Sequence, residues 1–587
     1  MKIMKKSFLV FPMSFISFMS FMFAFPLAQD AVVGWLRDRA IPLQTVEAGR
    51  GFADMQPLKK IIGDARIVAL GEATHGTREF FQLKHRMLEF LATEMGFTIF
   101  SIEANMPEAY RVNDYVLTGA GDPAALLRGM YFWTWDTEEV LDMIRWMRRV
   151  NETGKGKLEF TGFDMQTAVV AIRIVQEFAA SRDPNLSSRV ADAAEFAKVG
   201  AGSAGPQFGV ATGTFPLEAA AGKRVRFSGY IRTEGITRGY AGLWWRVDGK
   251  NGTLAFDNMD KRGATGTTAW KRYDIDLAVP AVAVNINFGA LLTGDGAAWF
   301  DDWTVELDGA PYADTTRFDF QFESSEPKGF FTAGNGYGVG IDSTTFRSGK
   351  QSLHMRSVAA ASAAPPRVNA LPAVAAWTAL VSDLERNRTT YRSAGATDRD
   401  IDWAIQNARV VLQGLQMRAG TVTRDKSMAE NVKWILDHSP NAKIVLWAHN
   451  AHVASAGFGY ETMWQTLRNM YGNAMVVVGF AFNQGGFQAM EQGKGLTTFA
   501  VAPAPAGSLD AALAAAGLPI LAVDLRAAPT TGPVAEWLAQ PHASRTIGAV
   551  YSDATASNYF MGLRARDAFD VMLFVETTTA ARKNPGR

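Results

Sequence analysis

Four short apolar runs in this chain each end on an acid or a histidine. Residues 66–70 run into Gly71-Glu72-Ala73-Thr74-His75, and residues 98–102 deliver Glu103. Residues 158–163 deliver Asp164, and residues 443–448 deliver His449, followed by Asn450 and His452. Runs of this length, apolar on both faces and separated by helical stretches, predict buried parallel strands. In an open α/β sheet, ligands bind beyond the carboxyl ends of the strands. A sheet built from these runs would gather Glu72, His75, Glu103, Asp164, His449 and His452 around one cleft, which is an enzyme's layout.

Between the runs the period is helical. Phe80, Phe81, Lys84, Met87, Leu88 and Leu91 recur at helical spacing after His75, with Thr77 placed to cap the start. Residues 138–150 form an amphipathic helix begun at Asp136 or Thr137, and the breakers at 119–123 mark a loop. From about 195 to 360 glycine becomes frequent and the period drops to two. Val225, Phe227, Gly229 and Ile231 alternate with Arg224, Arg226, Ser228 and Arg232, and Val282, Val284, Ile286 and Phe288 alternate with Ala283, Asn285 and Asn287. Many short alternating strands of this kind predict an antiparallel sandwich. Helices return over 373–388, 398–418 and 425–438, before the strand that ends at His449 and another over 475–480. The expected fold is therefore α/β: a mostly parallel sheet flanked by helices (29–194 and 363–587), interrupted by a jelly-roll-like sandwich (195–362).

Composition narrows the class. A chain of 587 residues is too long for one core. A hydrophobic share of 48% with 20% charged residues is that of an ordinary globular protein, and a net charge of +1 gives no footprint for nucleic acid. The absence of cysteine excludes disulfides, thiolate metal sites and a cysteine nucleophile. Lys2, Lys5 and Lys6 precede an apolar stretch from Phe8 to Phe25, so residues 1–28 read as a signal peptide or an uncleaved anchor. No later segment approaches the ~20 apolar residues of a membrane span. The mature protein is expected to be exported, periplasmic or extracellular.

The site residues admit functional and structural readings. An imidazole, with its ordinary pKa of about 6.5, is the natural general base at neutral pH, and a carboxylate beside it fixes its tautomer. His75 and Glu72 fit those roles, or else Glu72 caps a helix and His75 packs in a loop. Glu103, a charge at the end of a buried strand, must be paired or neutralised, either in chemistry or by a structural arginine. His449 and His452 can each serve as base, oxyanion donor or metal ligand, and His449 is favoured because it lies nearer the strand end. Asp425 is expected to cap its helix, leaving Arg424 just outside, as a donor into the cleft or as a surface ion pair. Asp164 reads as part of a polar network. There is no G-x-S-x-G elbow, H-E-x-x-H, P-loop or well-placed G-x-G-x-x-G.

Taken together, Leu70-Gly71-Glu72-Ala73-Thr74-His75-Gly76, Ile102-Glu103-Ala104, Gly162-Phe163-Asp164-Met165-Gln166, Arg424-Asp425-Lys426-Ser427-Met428-Ala429-Glu430-Asn431 and Trp447-Ala448-His449-Asn450-Ala451-His452 resemble the erythromycin esterase family. The resemblance covers about 35–190 and 370–580. It implies hydrolysis of a carboxylic ester or lactone by water activated by a histidine, without a cofactor and without an acyl-enzyme. Carried over, His75 is the base, Glu72 its partner, and Glu103 and His449 complete the surroundings of the water and carbonyl. His452, Arg424 and Asp164 are the implied substrate contacts. The segment with Gly222-Lys223-Arg224-Val225 and Trp299-Phe300-Asp301-Asp302, studded by Tyr230, Tyr240, Trp244, Trp245, Trp270 and Trp303, resembles carbohydrate-binding jelly rolls. Its strand-like Ser348-Gly349-Lys350-Gln351-Ser352-Leu353 comes unusually late, as in a permuted or partly duplicated module. The implied partner is a small ester, macrolide-like or an acylated saccharide, with a glycan as a second candidate. Two other functions share these residues: a metal-dependent hydrolase using the same Glu/His cluster, and an exported glycan-binding protein with an inactive α/β scaffold.

Overall fold

A computed structural model describes residues 29–585, apart from 155, 200–207, 250–251, 313, 315–316, 325–326, 334–336, 358–369, 457–460 and 492–494. The expected leader at 1–28 lies outside the described residues. Among the described residues no helix is long and apolar enough to cross a membrane.

Ile67–Leu70, Ile99–Asn105, Glu159–Asp164 and Ile444–Trp447 are strands, and all four pair in parallel within one sheet. The order across the described sheet is Ile41–Pro42, Ile520–Asp524, Val571–Thr578, Met475–Glu491, Ile67–Leu70, Ile444–Trp447, Ile99–Asn105 and Glu159–Asp164, with Gly495–Val501 hairpinned onto Met475–Glu491. From Ile67–Leu70 the chain moves outward to Ile99–Asn105 and Glu159–Asp164. The later strand Ile444–Trp447 then returns to fill the slot between the first two. The reversal of direction lies at Ile67–Leu70 and Ile444–Trp447, the place in an open α/β sheet where ligands bind as a rule.

The absence of alternation in these runs has a direct cause. Ile67, Ala69, Ile444 and Leu446 enter one apolar core, while Val68, Leu70, Val445 and Trp447 enter another on the opposite face. Helices cover both faces, so every position is buried. The 475–480 run extends much further than its apolar pattern, to Glu491, because its second half pairs with Gly495–Val501 and Val571–Thr578.

The sandwich is wound on one 26-residue strand, Arg224–Gly249. Its first half lies between Ala297–Leu307 and Ala264–Ala278, and its second half pairs with Asn285–Thr293 and Gly252–Asp257. One strand thus belongs to both layers. The expected alternation from Val282 holds only from Asn285: Ile286 and Phe288 are core, whereas Val282 and Val284 precede the strand and are exposed. Ser228, expected outward with the arginines, is buried and bonded to Asp274. Ser352–Ser357 lies between Ala297–Leu307 and Tyr337–Asp342, so the late strand is integral to one layer. Trp245 and Trp303 are core residues, and Trp299 stacks on His354 at 4.7 Å. The side chain of Asn558 reaches across from the α/β part to the carbonyl of Phe330 in the sandwich.

Candidate active site

The turn after Ile67–Leu70 is shaped by two close approaches. A Cβ on Gly71 would lie 2.1 Å from Asn450 Oδ1, and one on Gly76 would lie 2.1 Å from the Gln488 carbonyl. Only glycine lets this turn press against neighbouring strands. Between the two glycines, Glu72 and His75 face each other, with His75 Nδ1 2.7 Å from Glu72 Oε1. The other carboxylate oxygen accepts from Lys84 Nζ at 2.7 Å and from Trp447 Nε1 at 2.8 Å. Glu72 and Lys84 are wholly buried, while about a tenth of the His75 side chain reaches solvent. Thr77 occupies the N-cap position of Arg78–Met95, but its hydroxyl makes no capping bond, contrary to the sequence expectation. Its backbone instead bridges to Ala580.

Glu103, near the end of Ile99–Asn105, accepts from Arg424 Nη2 at 2.7 Å and from the His449 backbone N–H at 2.9 Å. Arg424 also holds Asp164 through Nε and Nη2, at 3.1 and 2.6 Å. Burial pushes the Glu103 carboxyl up. The charges of His452, Arg424 and His75, with the His449 N–H, outweigh that and hold it far below the usual carboxylate range. Burial opposes the charge on Arg424, but Asp164 and Glu103 overcome it and raise its pKa further.

The two motif histidines have different work. His449 Nδ1 accepts from the Ala451 N–H at 3.2 Å, capping the short helix Asn450–Val453, and Nε2–H donates to the Ile547 carbonyl at 3.1 Å. Both ring nitrogens are engaged by main chain, and burial, then the charges of His75 and His452, push its pKa well down. His452 Nδ1–H donates to Asp425 at 3.0 Å, while Nε2 lies 3.1 Å from Arg424 Nη1 and 3.4 Å from Glu103 Oε1. Unprotonated, that nitrogen accepts from the guanidinium; protonated, it donates to Glu103. Burial lowers the His452 pKa, but Glu103 and Asp425 more than offset it and the net direction is up. The sequence favours His449; the structure places the His449 ring among main-chain partners and the His452 ring in the charged network.

Asp425 is not the helix cap. Thr423 caps Arg424–Asp437 by accepting from the Lys426 N–H, and Asp425, one residue inside the helix, orients His452 and accepts from the Met463 N–H. Arg424 is the first helical residue and reaches inward to three of the expected site residues, not outward to a surface partner.

The structure therefore brings Glu72, His75, Glu103, Asp164, Arg424, His449 and His452 into one connected group, with the His75 and His449 rings 5.0 Å apart. Sequence reasoning passed over four residues of this group. Lys84 was counted on the apolar helix face, where a lone lysine is itself the signal. Trp447 belongs to an apolar run and Trp135 carries no local signal in the sequence; Trp447 binds Glu72, and Trp135 packs edge-on to His75 and donates to the Glu103 carbonyl. Asp425 was read as a cap. As a metal site the group fits poorly. Glu72 already accepts from Lys84, Trp447 and His75, Glu103 from Arg424, and both His449 nitrogens are occupied, so a divalent ion would have to displace two buried cations. Among the described residues no cluster of three or more His, Cys, Asp or Glu is arranged to hold one.

A family model described as erythromycin esterase matches residues 92–221 and 345–578. The chain belongs to the erythromycin esterase family. An Escherichia coli protein, erythromycin esterase type II, is 32% identical over 170 residues, which are 28% of this chain and 40% of that protein. This chain thus spans less than half the length of that relative. Solved structures of similar fold include a Bacillus cereus protein (TM-score 0.59, 18% identity, 94% of this chain and 99% of that one). Another is a mutant of erythromycin esterase EreC in its open conformation (TM-score 0.50, 13% identity, 92% of this chain and 98% of that one).

Proposed function

We propose that this protein hydrolyses a carboxylic ester or lactone with water activated by His75. The observation that carries this reading is the 2.7 Å contact between His75 Nδ1 and Glu72 Oε1, with Glu72 itself immobilised by Lys84 and Trp447. Donating Nδ1–H to a fixed carboxylate leaves the lone pair on Nε2, the arrangement a general base needs. Water attacks the ester carbonyl carbon as its proton passes to Nε2. The tetrahedral intermediate collapses, and the leaving alkoxide takes that proton back, giving an alcohol and a carboxylic acid, which releases its remaining proton to solvent as the carboxylate; from a lactone both remain in one opened molecule. Glu72 stabilises the transient imidazolium. Arg424 and His452 supply positive charge near the developing oxyanion, and Glu103 and Asp164 hold Arg424 in place. His449 acts through its backbone N–H and as a cap.

Family membership and the name of the Escherichia coli relative support a macrolide lactone as one substrate. The leader-like start and the sandwich support an exported enzyme acting on an acylated saccharide as the other. A panel of macrolides and acylated sugars offered to wild type and His75→Ala tests the reading. Turnover by wild type, falling about 10²–10⁴-fold in the variant, is expected. Turnover indifferent to His75 overturns the mechanism, and saccharide binding with no turnover favours the inactive-scaffold reading.

A further inference from the structure

We infer that Lys84 acts on the reaction through Glu72: its ammonium offsets the charge of that carboxylate and so weakens the hold of Glu72 on a proton at His75. Its kinetic consequence rests on the ester-hydrolysis reading, whereas its primary readout needs no substrate.

Lys84 sits on Arg78–Met95, two turns into the helix, and its side chain is completely buried. A lysine in that position is tolerated only when paired. Its Nζ is 2.7 Å from Glu72 Oε2, 4.4 Å from the centre of the Trp447 ring and 5.3 Å from that of Phe480. Two aromatic faces and one carboxylate thus form its environment, all of them favouring the cation. Trp447 completes the clamp by donating to the same oxygen. Glu72 therefore carries a cation on one oxygen and the His75 N–H on the other.

This arrangement bears on the base because a buried carboxylate against an imidazole favours the imidazolium. Left alone, Glu72 would tend to hold His75 protonated and unable to accept a proton from water. A cation on the far oxygen draws charge away from the near one and repels a second positive charge on His75. The groups whose charges bear on Lys84 are Glu72, on the turn after its strand, and Glu103, on the next strand but one; Trp447 and Phe480 are neutral, and His75 itself faces Glu72, Glu103 and the His449 ring. Burial pulls Lys84 down to about 8, against the pull of Glu72 and Glu103 in the other direction. The ion pair with Glu72 and the two aromatic rings favour the charged form of Lys84. Lys84 touches neither substrate nor water in this account; it is a positioning residue that works on the electrostatics of its neighbour.

The test is an NMR titration of the His75 ring in the full chain, assigned by loss of its signal in His75→Gln. Wild type is compared with Lys84→Met, which keeps the stem and removes the charge, and with Lys84→Arg, which keeps the charge. The expected result is that the His75 curve moves upward by about one pH unit in Lys84→Met and stays near wild type in Lys84→Arg. The acidic limb of kcat/KM should move with it while KM holds. A folded Lys84→Met with an unmoved His75 curve overturns the inference, because a merely structural lysine would change the melting temperature and leave the titration alone. If Lys84→Met does not fold, Lys84→Gln removes the charge while keeping a hydrogen-bond donor for Glu72 Oε2. An upward displacement in that variant supports the role, and a curve coincident with wild type overturns it. Should the protein prove inert toward every ester, the NMR result still decides the question.

Discussion

Glu103 and Arg424 are 321 residues apart in the chain, yet Oε1 of the first accepts from Nη2 of the second at 2.7 Å. Both are largely buried, and Asp164 lies on the same guanidinium nitrogen at 2.6 Å. One cation therefore satisfies the ends of two neighbouring strands. Removing it leaves two carboxylates facing each other with little water to solvate them.

Arg424→Met should consequently destabilise the protein by about 3–5 kcal/mol, the usual cost of orphaning buried partners. Urea unfolding monitored by tryptophan fluorescence measures it. Adding Asp164→Asn to the same chain should recover part of the loss, since one of the orphaned charges is then gone. A loss that stays whole in the double variant would show that the pairing is not what Arg424 contributes.

His449 and His75 should separate cleanly under substitution. Asparagine at 449 can still accept from the Ala451 N–H and cap the helix, so His449→Asn is expected to lower kcat/KM less than tenfold. His75→Asn should cost about 10²–10⁴-fold. Equal losses in the two variants would mean that His449 takes part in proton transfer despite its main-chain partners.

Glu108 gives a pH-dependent prediction. Its carboxyl is buried, with Oε2 lacking a partner among the described residues and Oε1 3.4 Å from the Thr167 hydroxyl. Burial raises it to about 7. Between the ordinary carboxylate value of about 4.3 and 7, the folded chain holds a proton that the unfolded chain has lost. Its contribution to stability is thus complete below about pH 4 and is lost as pH rises through 7. Glu108→Gln should therefore be more stable than wild type at pH 8 by about 3–4 kcal/mol, and indistinguishable from it near pH 4. Thermal melts at the two pH values are the measurement.

Chelation separates water activation by imidazole from Lewis-acid catalysis. Prolonged treatment with EDTA is expected to leave ester turnover unchanged. Loss of turnover restored by a divalent ion would establish the metal-dependent reading.

Much of the sheet is legible in the chain. The four runs appear as strands within about three residues of their expected limits because burial on both faces leaves an unbroken apolar signature. Helix Asp398–Arg418 appears at its expected limits, opened by a Thr397–Asp400 capping box. Where the reading slipped, local pattern competed with distant backbone. Met475–Glu491 outruns its apolar stretch because the strands that extend it lie at 495–501 and 571–578. Thr77 lost its capping role to a bridge with Ala580, and Thr423 took the one expected of Asp425.

Which acids and imidazoles sit at the cleft was determined by the chain itself, because a strand buried on both faces can place a charge only where it ends. What each group does there was decided by the tertiary structure. His449 and His452 are three residues apart and equivalent on paper. The carbonyl of Ile547 and the N–H of Ala451 occupy one ring, while Asp425, Arg424 and Glu103 surround the other. Lys84 likewise becomes part of the site only when Trp447 and Glu72 close around it. A lone pair is committed or free according to the atoms that meet it, and those atoms come from segments hundreds of residues away.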